Sequence, residues 1–234
     1  MNPDRDRTII DSWCKNALPW TAAVREGEIE SRILVTDQAI VDAVLSCSPD
    51  SVLDLGCGEG WLVRALASRV TRAVGLDVIP ALIDQARRAG GGEFILASYE
   101  AILHGSVDGQ FDVAVCNFAL FGNEVVESLF AAVPSLLRPG GCFVVQTLHP
   151  LVANGESAYV DGWRDGSWTG FGPDFVDPPP WYFRTVDSWI ALFSAYGFGL
   201  RETLEPINPK TGKHASIIFV AEAVAGKPIH AAGA

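Results

Sequence analysis

Basic charge is scarce in this chain. Lys and Arg number 17 against 28 Asp and Glu, a net charge of −11, and the longest basic cluster is Arg87-Arg88. Proteins that hold nucleic acid need cationic groups to displace counterions from phosphates, so nucleic acid is disfavoured as a partner. Paired cysteine motifs are missing too. Cys14, Cys47, Cys57, Cys116 and Cys142 are widely spaced with no C-x-x-C. That argues against a zinc knuckle or a redox dithiol and reads each as a small apolar side chain. No apolar run approaches the ~20 residues that span a bilayer. The opening MNPDRDRTII holds no apolar signal segment. Membrane insertion is therefore not expected, and the expected location is the cytoplasm. Charged residues are only 19% while 49% are hydrophobic. This excludes a disordered chain and allows a core without disulfides.

What is present is an alternation of strands and helices. Residues 5–18 read as a helix with Ile9, Ile10, Trp13, Ala17 and Leu18 on one side, ended by Pro19. A second helical pattern runs from about 28 to 45, with Thr36 as a cap for its second half. Short apolar strands follow at 52–55, 73–76, 94–97, 111–116 and 142–148. Helices are expected between them, and Pro139-Gly140-Gly141 reads as a turn. Residues 198–204 and 216–223 form two closing strands, and the tail AGKPIHAAGA reads as frayed. The expected fold is therefore α/β, a Rossmann-like doubly wound seven-stranded sheet. It is mostly parallel, with a C-terminal antiparallel hairpin and helices on both faces. The whole of 1–234 reads as one domain, with an N-terminal helical cap over 1–35. An insertion rich in Gly, Pro and aromatics spans 150–184, too long for an ordinary connection.

The chemistry centres on VLDLGCGEGW, residues 52–61. A strand enters a glycine loop and a helix leaves it, so a ligand can approach free backbone N–H groups closely. Asp77 follows Gly56 by 21 residues, at the end of the next strand, where a carboxylate can accept both ribose hydroxyls. A dinucleotide fingerprint needs a third glycine at position 61 for close helix–strand packing. Here that position is Trp61, and Gly60 comes one residue early. The loop therefore suits S-adenosylmethionine, which has no phosphate, better than NAD.

In these motifs the sequence resembles the class I S-adenosylmethionine-dependent methyltransferases, particularly the small-molecule branch called type 11. VLDLGCGEGW, GLDVIP, ILASYEAI, FDVAVCNFAL and LLRPGGCFVV stand in that family's order. The resemblance implies that Gly56, Cys57 and Gly58 line the methionine part of the cofactor, with Gly60 also among the cofactor-binding residues. Asp54 would orient the loop and meet the ammonium, and Asp77 would hold the ribose. Val78 and Ile79 would pack on adenine, with Ser98 and Tyr99 at its edge. Ser98 stands where the family usually has an acid, a weaker acceptor for the adenine amino group. Asn117 and Phe118 would face the methyl group. The N-terminal Trp20 and Arg32 are candidates to fold over the cofactor, Arg32 pairing with its carboxylate. The product would be S-adenosylhomocysteine.

His149 ends strand five, on the edge where open α/β sheets bind ligands, and is the candidate general base for a hydroxyl acceptor. No metal is implied, because no His, Cys or carboxylate group has ligand spacing. Residues 159–183 hold eight aromatics in 25 positions. That density suggests a lid enclosing an apolar or aromatic acceptor, with Trp163, Trp168 and Tyr182 as candidate substrate contacts. The acids Asp161, Asp165, Asp174 and Asp177 disfavour an anionic acceptor. The expected activity is methyl transfer to a small organic molecule, by a monomer or homodimer. The alternatives are a tRNA or protein methyltransferase, or a non-catalytic cofactor-binding protein.

Overall fold

The computed structural model describes residues 3–224. The tail and His230 lie outside the described residues. The strands are β1 (Ser51–Leu55), β2 (Arg72–Asp77), β3 (Glu93–Leu96), β4 (Phe111–Asn117), β5 (Leu137–Thr147), β6 (Gly162–Arg164), β7 (Trp181–Phe183), β8 (Phe198–Leu204) and β9 (Ile217–Ala223). Seven of them form one sheet in the order β3-β2-β1-β4-β5-β9-β8. The neighbours from β3 to β5 are parallel, and β9 pairs antiparallel with both β5 and β8. The expected fold class is therefore the observed one.

β1 and β4 sit at the centre because their residues are apolar on both sides, as a strand covered on two faces requires. Alternate residues point to opposite faces. Val52, Val113, Val115 and Val144 meet α2 (Asp37–Leu45) and α3 (Trp61–Leu66) on one face. Leu53, Cys116, Phe143 and Phe219 meet α6 (Glu124–Leu136) and α8 (Val186–Ala195) on the other. There Phe130 is fully buried, with ring centroids 4.9 Å from Phe143 and 5.0 Å from Phe193. Truncating such a ring to Ala costs about 3–5 kcal/mol. Pro80 opens α4 (Pro80–Ala89) at its first turn, and Thr185 caps α8 by accepting from the Ser188 N–H.

Four local expectations are corrected. Pro19 does not end the first helix. α1 runs Pro3–Arg25 with the proline inside it. A proline removes a helix hydrogen bond and crowds the preceding turn, at ~3 kcal/mol. Contacts on both sides of Pro19 outweigh that: Ala17 and Ala23 are buried, and Arg25 is tied to Glu59. Ile10 and Leu18, expected on the apolar side, are exposed. Thr36 does not cap a helix. It is already helical (φ −78°, ψ −29°), closing a π-helical turn, Arg32–Thr36, that runs into α2. Pro139–Gly141 is not a turn between elements but a bulge within β5. Phe111 pairs with Leu137, yet Val113 pairs with Cys142. A Cβ on Gly141 would stand 2.9 Å from the Arg138 carbonyl. Within the segment 150–184 the chain forms secondary structure of its own. It holds α7 (Pro150–Ala153) and a hairpin of β6 and β7.

Candidate functional site

The glycine loop follows β1 at the C-terminal edge of the parallel strands. Gly56, Gly58 and Gly60 have φ of +82°, +56° and +83°, a region L side chains rarely adopt. A Cβ on Gly56 would stand 2.4 Å from Ala119 Cβ and 2.7 Å from the Tyr99 hydroxyl. The loop is pinned by Gly56 and Cys57 N–H groups donating to the Leu76 carbonyl, at 2.7 and 2.9 Å. The Cys57 side chain turns away into the cluster of Val63, Ala73 and Ile83, so only its backbone faces the loop.

Asp77 fastens the loop to the next strand. Its Oδ2 accepts from the Gly58 N–H and its Oδ1 from the Ile79 N–H, each at 2.8 Å. Burial raises its pKa, and the backbone donors pull against that. A carboxylate offers about four acceptor positions, so the backbone donors leave capacity for a hydroxyl donor. Val78 and Ile79 pack with Ala17, Trp13 and Trp20 of α1, which lies over them. Ser98 caps the short α5 (Tyr99–Ile102), accepting from the Ala101 N–H at 3.3 Å. Tyr99 reaches under the loop, its hydroxyl donating to the Leu55 carbonyl at 3.4 Å.

Beside the loop, several buried polar atoms have no hydrogen-bond partner among the described residues. They are Asp54 Oδ1, Arg32 Nη2, Thr36 Oγ1 and Gln146 Oε1. Asp54, Asn117 and Gln146 share the sheet face that α2 covers, since Asp54 pairs with Val115 and Asn117 with Gln146. Gln146 Nε2 donates to Asn117 Oδ1 at 2.9 Å and to the Thr36 carbonyl at 3.2 Å. Arg32 is held from behind by Asp37 at 2.9 Å, and its guanidinium lies over the Trp61 ring at 4.6 Å. Trp61, the residue that breaks the dinucleotide pattern, thus carries an arginine. Asp54 is 2% exposed, and burial, followed by the charge of Asp77, pushes its pKa up to about 8. A buried polar group without a partner costs ~1–3 kcal/mol. A ligand that carries both an ammonium and a carboxylate would supply what Asp54 and Arg32 lack. The amino-acid end of S-adenosylmethionine fits this donor set. Phe118, just past Asn117, has φ +51°, a strained conformation of the kind that collects at working sites.

Glu59, Thr36 and Gln146 were not singled out as site residues from sequence. Glu59 lies in the glycine loop, 1% exposed, gripped by Arg64 Nη2 at 2.6 Å and Arg25 Nε at 2.8 Å. It ties the end of α1 to the loop. Its signal was an acid among the glycines with an arginine five residues on. For Gln146 the signal was one amide in the apolar run CFVVQT.

His149 follows β5 and is 2% exposed. Its Nε2 lies 3.3 Å from Glu205 Oε1, and its ring stacks on His214 with centroids 4.4 Å apart and planes 18° apart. His149 Nδ1 is buried without a partner. His149, Glu205 and His214 make a cluster with metal-ligand chemistry, assembled from three distant segments. One ligand atom from each of the three lies within 4.8 Å of the others, and the cluster is held by the His149–Glu205 contact and the stacked rings.

The aromatics of 150–184 pack against α1. Trp168 lies 5.7 Å from Trp13, Trp13 lies 5.1 Å from Trp20, and Trp13 also meets Phe121 at 5.4 Å. Trp20 Nε1 stands 3.9 Å from where a Cβ on Gly58 would be. The seam is bonded as well. Asn16 donates to the Val176 carbonyl at 2.7 Å and accepts from its N–H at 2.9 Å, and Lys15 pairs with Asp177 at 2.6 Å. Trp163 and Tyr182 face each other across the hairpin at 5.5 Å. The Tyr182 N–H donates to the Phe121 carbonyl, which anchors the hairpin beside the segment after β4. A cavity of about 470 Å³ opens between Arg5, Asn154, Trp163, Arg164 and Trp181.

Residues 52–141 match a family model described as a methyltransferase domain. An uncharacterised methyltransferase of Schizosaccharomyces pombe is 29% identical over 182 residues, 74% of this chain and 67% of the relative. A ubiquinone biosynthesis O-methyltransferase of Xylella fastidiosa is 34% identical over 113 residues, 47% of this chain and 46% of the relative. The chain thus spans about two thirds of the length of the first relative and less than half of the second. Among solved structures, 1,6-didemethyltoxoflavin-N1-methyltransferase of Burkholderia thailandensis superposes with a TM-score of 0.62 at 17% identity. That alignment covers 90% of this chain and 88% of the other, and is a likeness of fold.

Proposed function

Because this chain belongs to the class I S-adenosylmethionine-dependent methyltransferases, we propose that it methylates a small apolar or aromatic molecule held beneath the aromatics of 150–184. The observation that carries this is the unbroken line of rings from Trp168 through Trp13 to Trp20, which ends over Gly58 of the glycine loop. Bound S-adenosylmethionine supplies an electrophilic sulfonium methyl group. The chain's own residues bind and orient. Asp77 accepts from the ribose hydroxyls, Asp54 meets the ammonium, and Arg32 Nη2 donates to the carboxylate. Asn117 and Phe118, at the end of β4, border the reacting centre. The roof formed by α1 and residues 150–184 excludes water and holds the acceptor close, which is much of what methyl displacement requires.

For a hydroxyl acceptor, His149 takes the proton. Glu205 receives the Nε2–H, which leaves Nδ1 as the basic nitrogen. Relatives and neighbours named for small-molecule acceptors support this substrate class. The test is release of S-adenosylhomocysteine with a panel of phenols, aromatic amines and heterocycles, set beside transfer RNA and an acidic protein. Turnover confined to the small acceptors is expected. Methylation of the RNA or protein alone would overturn the reading.

A further inference from the structure

A second group of reactive side chains lies toward the opposite edge of the sheet. Cys142 is in β5, opposite Val113 of β4 and Glu222 of β9. Cys47 follows the end of α2 and is half-buried. Although 95 residues apart in sequence, both thiols meet one guanidinium nitrogen. Arg201 Nη1 is 3.2 Å from Cys142 Sγ and 4.0 Å from Cys47 Sγ. Arg201 reaches them from a β-bulge. Leu200 pairs with Ala221 and Glu202 with Val220, so Arg201 is the extra residue in β8. Bulges of this kind re-aim a side chain. Glu222 is the other charged group here, 4.0 Å from Arg201 Nε.

From this geometry we infer that Cys47 and Cys142 are a dithiol that peroxide oxidises to a disulfide, joining the end of α2 to β5. The chemistry follows from the surroundings. Hydrogen bonding from the Cys47 thiol, and then from Arg201, outweighs burial and lowers the Cys142 pKa. With the guanidinium nearer its sulfur, Cys142 is the more readily ionised of the two, and thiolates are the nucleophiles. Its sulfur attacks one oxygen of hydrogen peroxide. The O–O bond breaks, hydroxide leaves and takes up a proton to become water, and a sulfenic acid remains on Cys142. The Cys47 sulfur then attacks that sulfur. The S–S bond forms and a second water leaves. The two electrons that reduce the peroxide come from the two thiols, and a low-pKa cysteine beside a resolving cysteine is the arrangement this sequence needs.

Cys14 is exposed and its pKa is raised, chiefly by burial of part of its surface and then by Asp11. It serves as an internal control. The full-length chain is treated with hydrogen peroxide at pH 7, its remaining thiols are alkylated, and its peptides are mapped without reduction. A Cys47–Cys142 linked peptide should form at least about tenfold faster than Cys14 reacts. Arg201→Met should slow it several-fold. Cys47→Ser should leave Cys142 as a sulfenic acid that dimedone captures, an arm that stands even if Arg201→Met does not fold. Recovery of Cys47 and Cys142 as free thiols after Cys14 has been oxidised would overturn the proposal. So would irreversible oxidation of Cys142 with no cross-link while Cys47 is intact.

Discussion

The cradle around the glycine loop and the seam of the aromatic roof are built differently. In the cradle, Asp54, Arg32, Thr36 and Gln146 each bury a polar atom that no described residue satisfies. In the seam between α1 and residues 168–177, polar groups are matched. Asn16 both donates to and accepts from Val176, the Ser12 hydroxyl donates to the Asp177 carbonyl, and the Trp168 indole donates to the Val176 carbonyl. Unpartnered buried groups cost ~1–3 kcal/mol each, so the cradle is held in an unfavourable state by the packed sheet beneath it. It is preorganised for a polar ligand that brings the missing partners. The seam needs no such ligand to be complete, although Asp6, Asn154 and Arg164 elsewhere in the roof each bury a polar atom without a partner among the described residues. The roof closes by ring against ring, and what it selects is shape and apolar surface.

The junction between the two regions carries the largest expected effect. His149 stands where β5 ends and the insertion begins. If its Nδ1 takes the acceptor proton, His149→Ala should lower turnover of a hydroxyl acceptor about 10²-fold or more. S-adenosylhomocysteine affinity should stay unchanged. Glu205→Gln should lower turnover less, since it keeps the ring and a hydrogen-bond partner for Nε2 but not the charge facing it. An unaltered rate for His149→Ala would reduce the residue to a strand-end packing group and leave positioning as the whole mechanism.

Next comes the cradle. Asp77→Ala removes charge-assisted hydrogen bonds worth ~1.5–3 kcal/mol, so the S-adenosylhomocysteine Kd should rise roughly tenfold to a hundredfold. Calorimetry checks this, and NAD should give no binding heat. An unchanged Kd in a folded variant would separate Asp77 from the ribose and leave it as a brace for Gly58.

Asp54 gives a smaller, pH-dependent effect. With its pKa at about 8 it holds a proton at neutral pH. The folded state therefore binds more protons than the unfolded chain above the ordinary carboxyl pKa, so this residue's contribution to stability falls as pH rises toward about 8. An ammonium beside it favours the carboxylate, so cofactor binding should release a proton. Affinity should accordingly rise with pH between about 6 and 8, by at most tenfold per unit. Calorimetry at pH 6.5 in two buffers of different ionisation enthalpy should show one proton released, and Asp54→Asn should abolish the difference. Equal heats for the native protein would mean that Asp54 stays protonated in the complex.

The two regions also differ in how far they could be read from the chain. The strand, the glycine loop and Asp77 depend on residues within about 25 positions of one another, and local pattern captures them. What escaped depends on contacts between distant segments. Pro19 marks a helix end by local rules, yet α1 continues because Ala17, Ala23 and Arg25 are held by other elements. The Cys47–Cys142 pair and the His149–Glu205–His214 stack carry no spacing signal, since the sheet brings their members together from separate strand ends and loops. The aromatic density of 159–183 was visible. Its attachment through Asn16 to Val176 was not, because one amide on a helix says nothing about a backbone 160 residues away.

The smallest expected effect tests whether the cradle and roof act separately. Trp168 meets the rings of Trp13, Phe171 and Phe175, whereas Trp20 is the ring that reaches Gly58. Aromatic pairs are worth ~0.5–1.5 kcal/mol each beyond burial. Trp168→Ala therefore loosens the roof by a few such contacts, and the acceptor KM should rise by up to about tenfold. The S-adenosylhomocysteine Kd should move less than about twofold, since no cradle partner is lost. Trp20→Ala should do the reverse, weakening the cofactor with less change in acceptor KM. Equal losses of cofactor affinity in the two variants would mean that the ring line from Trp168 to Trp20 is one rigid unit. Cofactor and acceptor would then bind cooperatively, and the roof could not open for one without releasing the other.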